Sequence, residues 1–164
     1  MLIILSGPSS SGKTTLARAI QALAVEPLLH LEADRFWPDM PPGPTGEDHT
    51  YRRRVILAVH ESIATLGRSG LHVVVDGSLP MERGLHLRCI EILRSVPETR
   101  IVAVRCAAEV LRMREAARPD RTSGWAEQQL ATIFHEVTFD ADVDTSSSSP
   151  GDCARDLLQA LGLD

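Results

Sequence analysis

Eight residues near the start of the chain, Gly7-Pro8-Ser9-Ser10-Ser11-Gly12-Lys13-Thr14, constrain its fold more than any others. They match the pattern G-x-x-x-x-G-K-[ST]. The apolar run Leu2-Ile3-Ile4-Leu5 precedes them, and Leu16, Ala19, Ile20 and Leu23 follow at helical spacing. A strand, a glycine–serine loop and a helix in that order curl successive backbone N–H groups inward and aim a helix N-terminus at the same point. Both features favour phosphate oxygens. A glycine–serine turn that merely happens to precede a helix is set aside, because pattern and context agree. Lys13 is expected to reach the outer phosphates of ATP and the Thr14 hydroxyl to ligate Mg²⁺, with Thr15 beside them.

The rest of the chain alternates between two periods. Leu28 to Leu31, Leu71 to Val75 and Ile101 to Val104 read as short buried strands, and 137–143 as a last one. Residues 13–24, 50–68, 81–95, 107–117, 124–136 and 150–161 read as helices, the first stopped by Pro27. Residues 38–50, holding Pro38, Pro41, Pro42, Pro44, Gly43 and Gly46, read as a long loop. The expected architecture is α/β: a five-stranded parallel sheet with helices on both faces, in one domain of 164 residues. Ligands of such sheets sit at the carboxyl ends of the strands, so Gly7, Asp34 and Asp76 should meet on one edge.

Composition excludes several classes. A net charge of −5 argues against a general nucleic-acid binder, although the arginines at 52–54 and 112–121 are local exceptions. No apolar run approaches the ~20 residues needed to span a bilayer. The first strand begins almost at Met1 and leaves no room for a leader, so a cytoplasmic location is expected. Cys89, Cys106 and Cys153 are odd in number and widely spaced, which suggests neither a disulfide framework nor a zinc site.

Asp34 and Asp76 offer the two carboxylates that phosphoryl transfer needs, one near Mg²⁺ and one to deprotonate the attacking hydroxyl. A helix cap or turn is the plainer alternative for Asp34, and a turn with Gly77 for Asp76, but their place relative to the loop favours the chemical roles. Glu32 should share a face with Asp34. Arg114, Arg118 and Arg121 flank Pro119-Asp120 and read either as a lid over transferring phosphate or as a solvated basic face. Trp37 is the better candidate for an acceptor pocket, being three residues from Asp34, whereas Trp125 fits core packing as well. His135-Glu136 lacks a partner at metal-ligand spacing, and Cys106 reads as a small buried residue.

With these residues in place, the chain resembles the chloramphenicol phosphotransferase family. The resemblance runs through ILSGPSSSGKTTLARAIQ, EPLLHLEAD, VVVDG, VRCAAEVLRMREAARPDRTSGWAEQQ and HEVTFDADVDTS, almost the whole chain. It implies a P-loop NTPase fold like that of nucleoside monophosphate kinases, with a short arginine-rich lid at roughly 114–125. It implies ATP- and Mg²⁺-dependent phosphorylation of a small-molecule hydroxyl, with Asp34 as base and Lys13, Arg118 and Arg121 around the transferring group. Arg114 and Thr145 would stand on the nucleotide side, Thr145 within an adenine-side loop. Asp76 would contact metal or acceptor. The segment after Asp34, RFWPDMPPGPTGEDHT, is shorter and richer in proline than in the family's namesake, and Asp76 is followed by Gly-Ser-Leu-Pro rather than a second acid. The acceptor is therefore open: chloramphenicol, another antibiotic, or a metabolite of sugar-acid or nucleotide-sugar type. An ATP-binding regulatory module without transfer activity is the reading from another class, and homo-oligomerisation is left open.

Overall fold

The computed structural model describes residues 1–77, 79–118, 124–135 and 137–163. Five parallel strands form one sheet: β1 (Leu2–Ser6), β2 (Leu28–Glu32), β3 (His72–Asp76), β4 (Thr99–Arg105) and β5 (Ala141–Asp144). Their order is β2-β3-β1-β4-β5, so the strand that feeds the phosphate loop is central. Every residue of β1 is buried, as expected of a parallel strand covered on both faces.

Alternation along β1 sorts the core into two layers. Ile3 and Leu5 face α1 (Lys13–Leu23) and the last helix, α7 (Pro150–Leu161), through Leu16, Ile20, Ala154 and Leu157. Leu2 and Ile4 face the opposite layer, where α3 (His49–Arg68) and α4 (Arg83–Arg94) supply Ile63, Leu85, Cys89 and Leu93. Burying each large aliphatic side chain contributes roughly 2 kcal/mol. The helix ends follow local chemistry. The Asp48 carboxylate accepts the Thr50 N–H at the start of α3, the Ser149 hydroxyl accepts the Asp152 N–H at the start of α7, and Gly162 closes α7 at φ 68°.

Four sequence expectations change. The loop expected at 38–50 is structured: a 3₁₀ helix spans Ala33–Asp39, α2 spans Pro44–Glu47, and α3 already begins at His49. Pro44 supplies the fixed φ that suits a first helical turn, and Gly46 lies so close to the Pro41 carbonyl that a Cβ would sit 1.8 Å from its oxygen. The helix expected over 124–136 is the shorter α6 (Trp125–Leu130), followed by turns in which the His135 N–H reaches the Thr132 carbonyl. The last strand covers only Ala141–Asp144 rather than 137–143, because the Asp140 carboxylate takes the Ile101 N–H at 2.6 Å and ends the ladder there. Asp76 is the final residue of β3 rather than the one after it.

Candidate active site

The phosphate loop bridges β1 and α1 in a backbone path that few sequences tolerate. Ser10 and Gly12 both take left-handed φ angles, 62° and 88°. Gly7 packs against β4 so closely that a Cβ there would lie 2.4 Å from the Val104 carbonyl oxygen. Lys13 is 8% exposed, and its ammonium donates to the carbonyls of Gly7 at 2.8 Å and Pro8 at 2.7 Å. The buried hydroxyl oxygens of Ser10 and Ser11 have no hydrogen-bond partner among the described residues. The Ser9 N–H donates to the buried side-chain oxygen of Gln129, on α6, at 2.6 Å.

Because the strands are parallel, β1, β2 and β3 end on the same edge, and their ends converge. Leu5 lies opposite Asp76, and Asp76 opposite Glu32. Asp76 is 4% exposed; the Thr14 hydroxyl donates to its Oδ2, and His30 Nε2 lies 2.8 Å from its Oδ1. Asp34 sits in the first turn of the 3₁₀ helix and faces the cleft that also holds Lys13, Thr14, Thr15 and Asp76. This cleft has a volume of about 1240 Å³ and lies outside the strand ends, where ligands of open α/β sheets bind.

The side of the cleft across from the phosphate loop is built by the segment after Asp34. Trp37 packs on Phe36 with ring centroids 4.4 Å apart, and the Arg52 guanidinium lies 5.0 Å from the Trp37 ring centroid. The carboxylate of Glu82 pairs with Arg53 and, at 3.4 Å, with His49. Ile56, Leu79, Met81 and Leu85 add an apolar wall.

Arg114 stands on α5 (Ala108–Ala116), and Arg118 lies just past its end. Arg114 donates to the Thr145 carbonyl at 2.7 Å, and the Thr145 hydroxyl donates to the Ser11 carbonyl at 2.6 Å. The segment after β5 is thereby tied to the phosphate loop. The Ser146 hydrogen bonds hold the neighbouring Asp144 carboxyl below its ordinary range, with Arg114 adding a smaller effect. Arg118 lines the cleft, and the buried carboxylate of Glu115 takes the backbone N–H groups of Gly124 and Ala126, fixing the start of α6. Arg121, like 119–123 of the expected lid and Glu136, lies outside the described residues.

The structure thus brings Gly12, Lys13, Thr14, Thr15, Asp34, Trp37, Asp76, Arg114, Arg118 and Thr145 to one cleft. Trp125 also lines it and is 41% exposed, so it does not take the core-packing role, whereas Cys106 is buried as expected. His30 and Gln129 were not singled out from sequence, and Arg52 only as one of the arginines at 52–54. Strand alternation puts His30 on the face of Glu32, so a period-two reading could have found it. Nothing in the sequence points to the buried Gln129 contact.

A phosphate loop after a central strand, with a carboxylate on its threonine from the neighbouring strand, gives the chain the P-loop nucleotide-binding fold. Residues 1–162 match the family described as chloramphenicol phosphotransferase-like protein, and the chain belongs to that family. A relative from Mycobacterium tuberculosis strain H37Rv, named "Putative O-phosphotransferase", is 28% identical over 186 aligned positions that cover 97% of this chain and 81% of the relative. Among solved structures, a sugar kinase from Janibacter superposes with a TM-score of 0.70 at 19% identity, covering 99% of this chain and 94% of that one. The tunicamycin resistance protein of Deinococcus radiodurans gives 0.70 at 17% identity, covering 99% and 96%. The Mycobacterium tuberculosis APS kinase gives 0.68 at 12%, covering 98% and 96%. At these identities the structural likenesses speak for the fold. Among the described residues, no helix is long and apolar enough to cross a membrane.

Proposed function

We propose that the protein transfers the γ-phosphoryl group of ATP to a hydroxyl of a small molecule, with chloramphenicol or another antibiotic alcohol as the leading acceptor. The observation that carries this reading is the opening of Asp34 and the phosphate loop on one cleft, with Thr14 and Asp76 hydrogen-bonded between them. The residues fit a nucleotide and its magnesium. The left-handed turns at Ser10 and Gly12 shape the loop, and the Ser10 and Ser11 hydroxyls lack protein partners among the described residues. No group of three or more metal-binding side chains occurs among the described residues. Thr14 and Asp76, joined by their hydrogen bond, are the residues that would hold Mg²⁺. The metal would neutralise charge on the phosphates when bound.

In this reading the loop from Gly7 to Thr14 cradles the phosphates, and the Ser9 N–H, held by Gln129, fixes its shape. Lys13 exchanges the Gly7 and Pro8 carbonyls for phosphate oxygens. Asp34 takes the proton of the acceptor hydroxyl as that oxygen bonds to phosphorus, while the bond to the leaving ADP oxygen breaks. Arg118 and Arg121 spread positive charge around the transferring group, and Arg114 and Thr145 border the nucleotide. Trp37 gives the acceptor an apolar face. We read 1–164 as one kinase domain, working in the cytoplasm in keeping with its free cysteines.

The test is a screen of hydroxyl-bearing antibiotics and metabolites for acceptor-dependent ADP release, with Asp34→Asn as control. Release raised by an acceptor and lost in the variant supports the reading; no rise with any compound sinks it and favours a regulatory ATP-binding module. A second reading, a kinase of small acidic metabolites such as sugar acids, draws support from Arg52, a cleft cation that lies over the Trp37 ring and has no carboxylate partner among the described residues. The same screen separates the two by which compounds respond.

A further inference from the structure

Asp76 sits almost sealed at the end of β3, with both carboxylate oxygens engaged. Oδ2 takes the Thr14 hydroxyl, and Oδ1 lies 2.8 Å from His30 Nε2. A carboxylate is acceptor-only, so Nε2 carries the hydrogen and donates. His30 itself is closely packed, its side chain 11% exposed. It comes from β2, the neighbouring strand, where it lies opposite Val74, two positions before the Glu32–Asp76 pair. The imidazole therefore reaches along the sheet to the oxygen that Thr14 does not bond.

We propose that His30 is a positioning residue for the metal half of the site: it fixes the Asp76 carboxylate, which in turn aims the Thr14 hydroxyl. The inference rests on the proposed role of Thr14 and Asp76 toward Mg²⁺. The reason is geometric. A carboxylate bonded through one oxygen can still turn about its Cβ–Cγ bond, whereas bonds to both oxygens from different elements leave it one orientation. Thr14 lies on α1 and His30 on β2, so the two bonds come from different elements. Polar side chains that orient metal-binding groups in this way commonly govern metal affinity by about 10-fold or more.

A merely structural role is the competing explanation. β2 is an edge strand paired only with β3, so the His30–Asp76 bond could simply fasten it. The two explanations separate in nucleotide binding, with no acceptor needed. ADP affinity is measured by calorimetry in Mg²⁺ and in EDTA for the wild-type chain, His30→Leu and His30→Gln. We expect His30→Leu to weaken ADP binding in Mg²⁺ by about 10-fold and to leave binding in EDTA within about twofold. Gln, which keeps an N–H donor of similar reach, should recover most of the loss. Equal weakening in both conditions, or none in either, overturns the proposal. If His30→Leu does not fold, His30→Asn takes its place, since its shorter donor cannot span to Asp76 while its polarity is retained. A wild-type chain whose ADP affinity ignores Mg²⁺ overturns the metal role of Asp76 and this inference with it; a responsive wild type with an equally responsive His30→Leu overturns only the inference.

Discussion

The two sides of the cleft are built on different physical terms. On the nucleotide side, loop, strand ends and helices are buried and tied by hydrogen bonds across long sequence separations: Ser9 to Gln129, Ser11 to Thr145, Asp76 to Thr14 and His30. On the acceptor side, the 3₁₀ helix, α2 and the start of α3 hold no buried residue before His60, and their contacts are aromatic packing and partly exposed ion pairs. Exposed ion pairs contribute little to stability, about 0–1 kcal/mol each. One wall is thus over-determined and the other lightly held.

Substitutions can break this contrast, beginning where the effect should be largest. Asp34→Asn removes the proposed base and should lower kcat by about 10³-fold with ATP affinity kept, as read in acceptor-dependent ADP release. Lys13→Ala should cost about 10²- to 10³-fold in the same assay, since it removes charge from the developing phosphoryl group. If either variant turns over normally, the site assignment fails. Gln129→Leu leaves the buried Ser9 N–H without its partner, so stability should fall by about 1–3 kcal/mol in a urea titration, with a raised KM for ATP. On the other wall, Trp37→Ala should raise the acceptor KM by about 10-fold, leave the KM for ATP unchanged and hardly move Tm. A matching rise in the KM for ATP would show that the two halves are not independent.

The smallest effect concerns His60, buried on α3 beneath the acceptor side. Burial lowers its pKa below the ordinary 6.5, outweighing the Ile56 carbonyl at 2.7 Å that raises it. The folded state therefore binds this proton less readily than the unfolded chain. Its contribution to stability is full above pH 6.5 and is lost as pH falls through the lower folded value. Urea midpoints measured from pH 7.5 to 5 should drop for the wild type and drop less for His60→Gln; parallel curves would remove His60 as the cause.

Much of the frame was legible because its determinants are local. The phosphate loop declares itself within eight residues, and α7 runs over 150–161 as its apolar spacing predicts, between the Ser149 cap and Gly162. The proline-rich segment misled for an equally local reason. Pro38 and Pro44 mark loops in general, yet here one fits within a 3₁₀ helix and the other starts α2. Residues 131–135 keep apolar spacing but tighten into turns, which periodicity does not detect.

By itself, then, the sequence determined a parallel α/β sheet, the phosphate loop, and the placing of Asp34 and Asp76 at strand ends. Short-range periodicity and a contiguous motif encode all of these. Only the tertiary structure decided what each side chain meets. His30 reaches Asp76 across 46 positions, Arg114 holds Thr145 across 31, and Gln129 takes the Ser9 N–H across 120. Such pairings follow from strand order and helix docking, which sum weak contacts over the whole core, so no local pattern of residues records them.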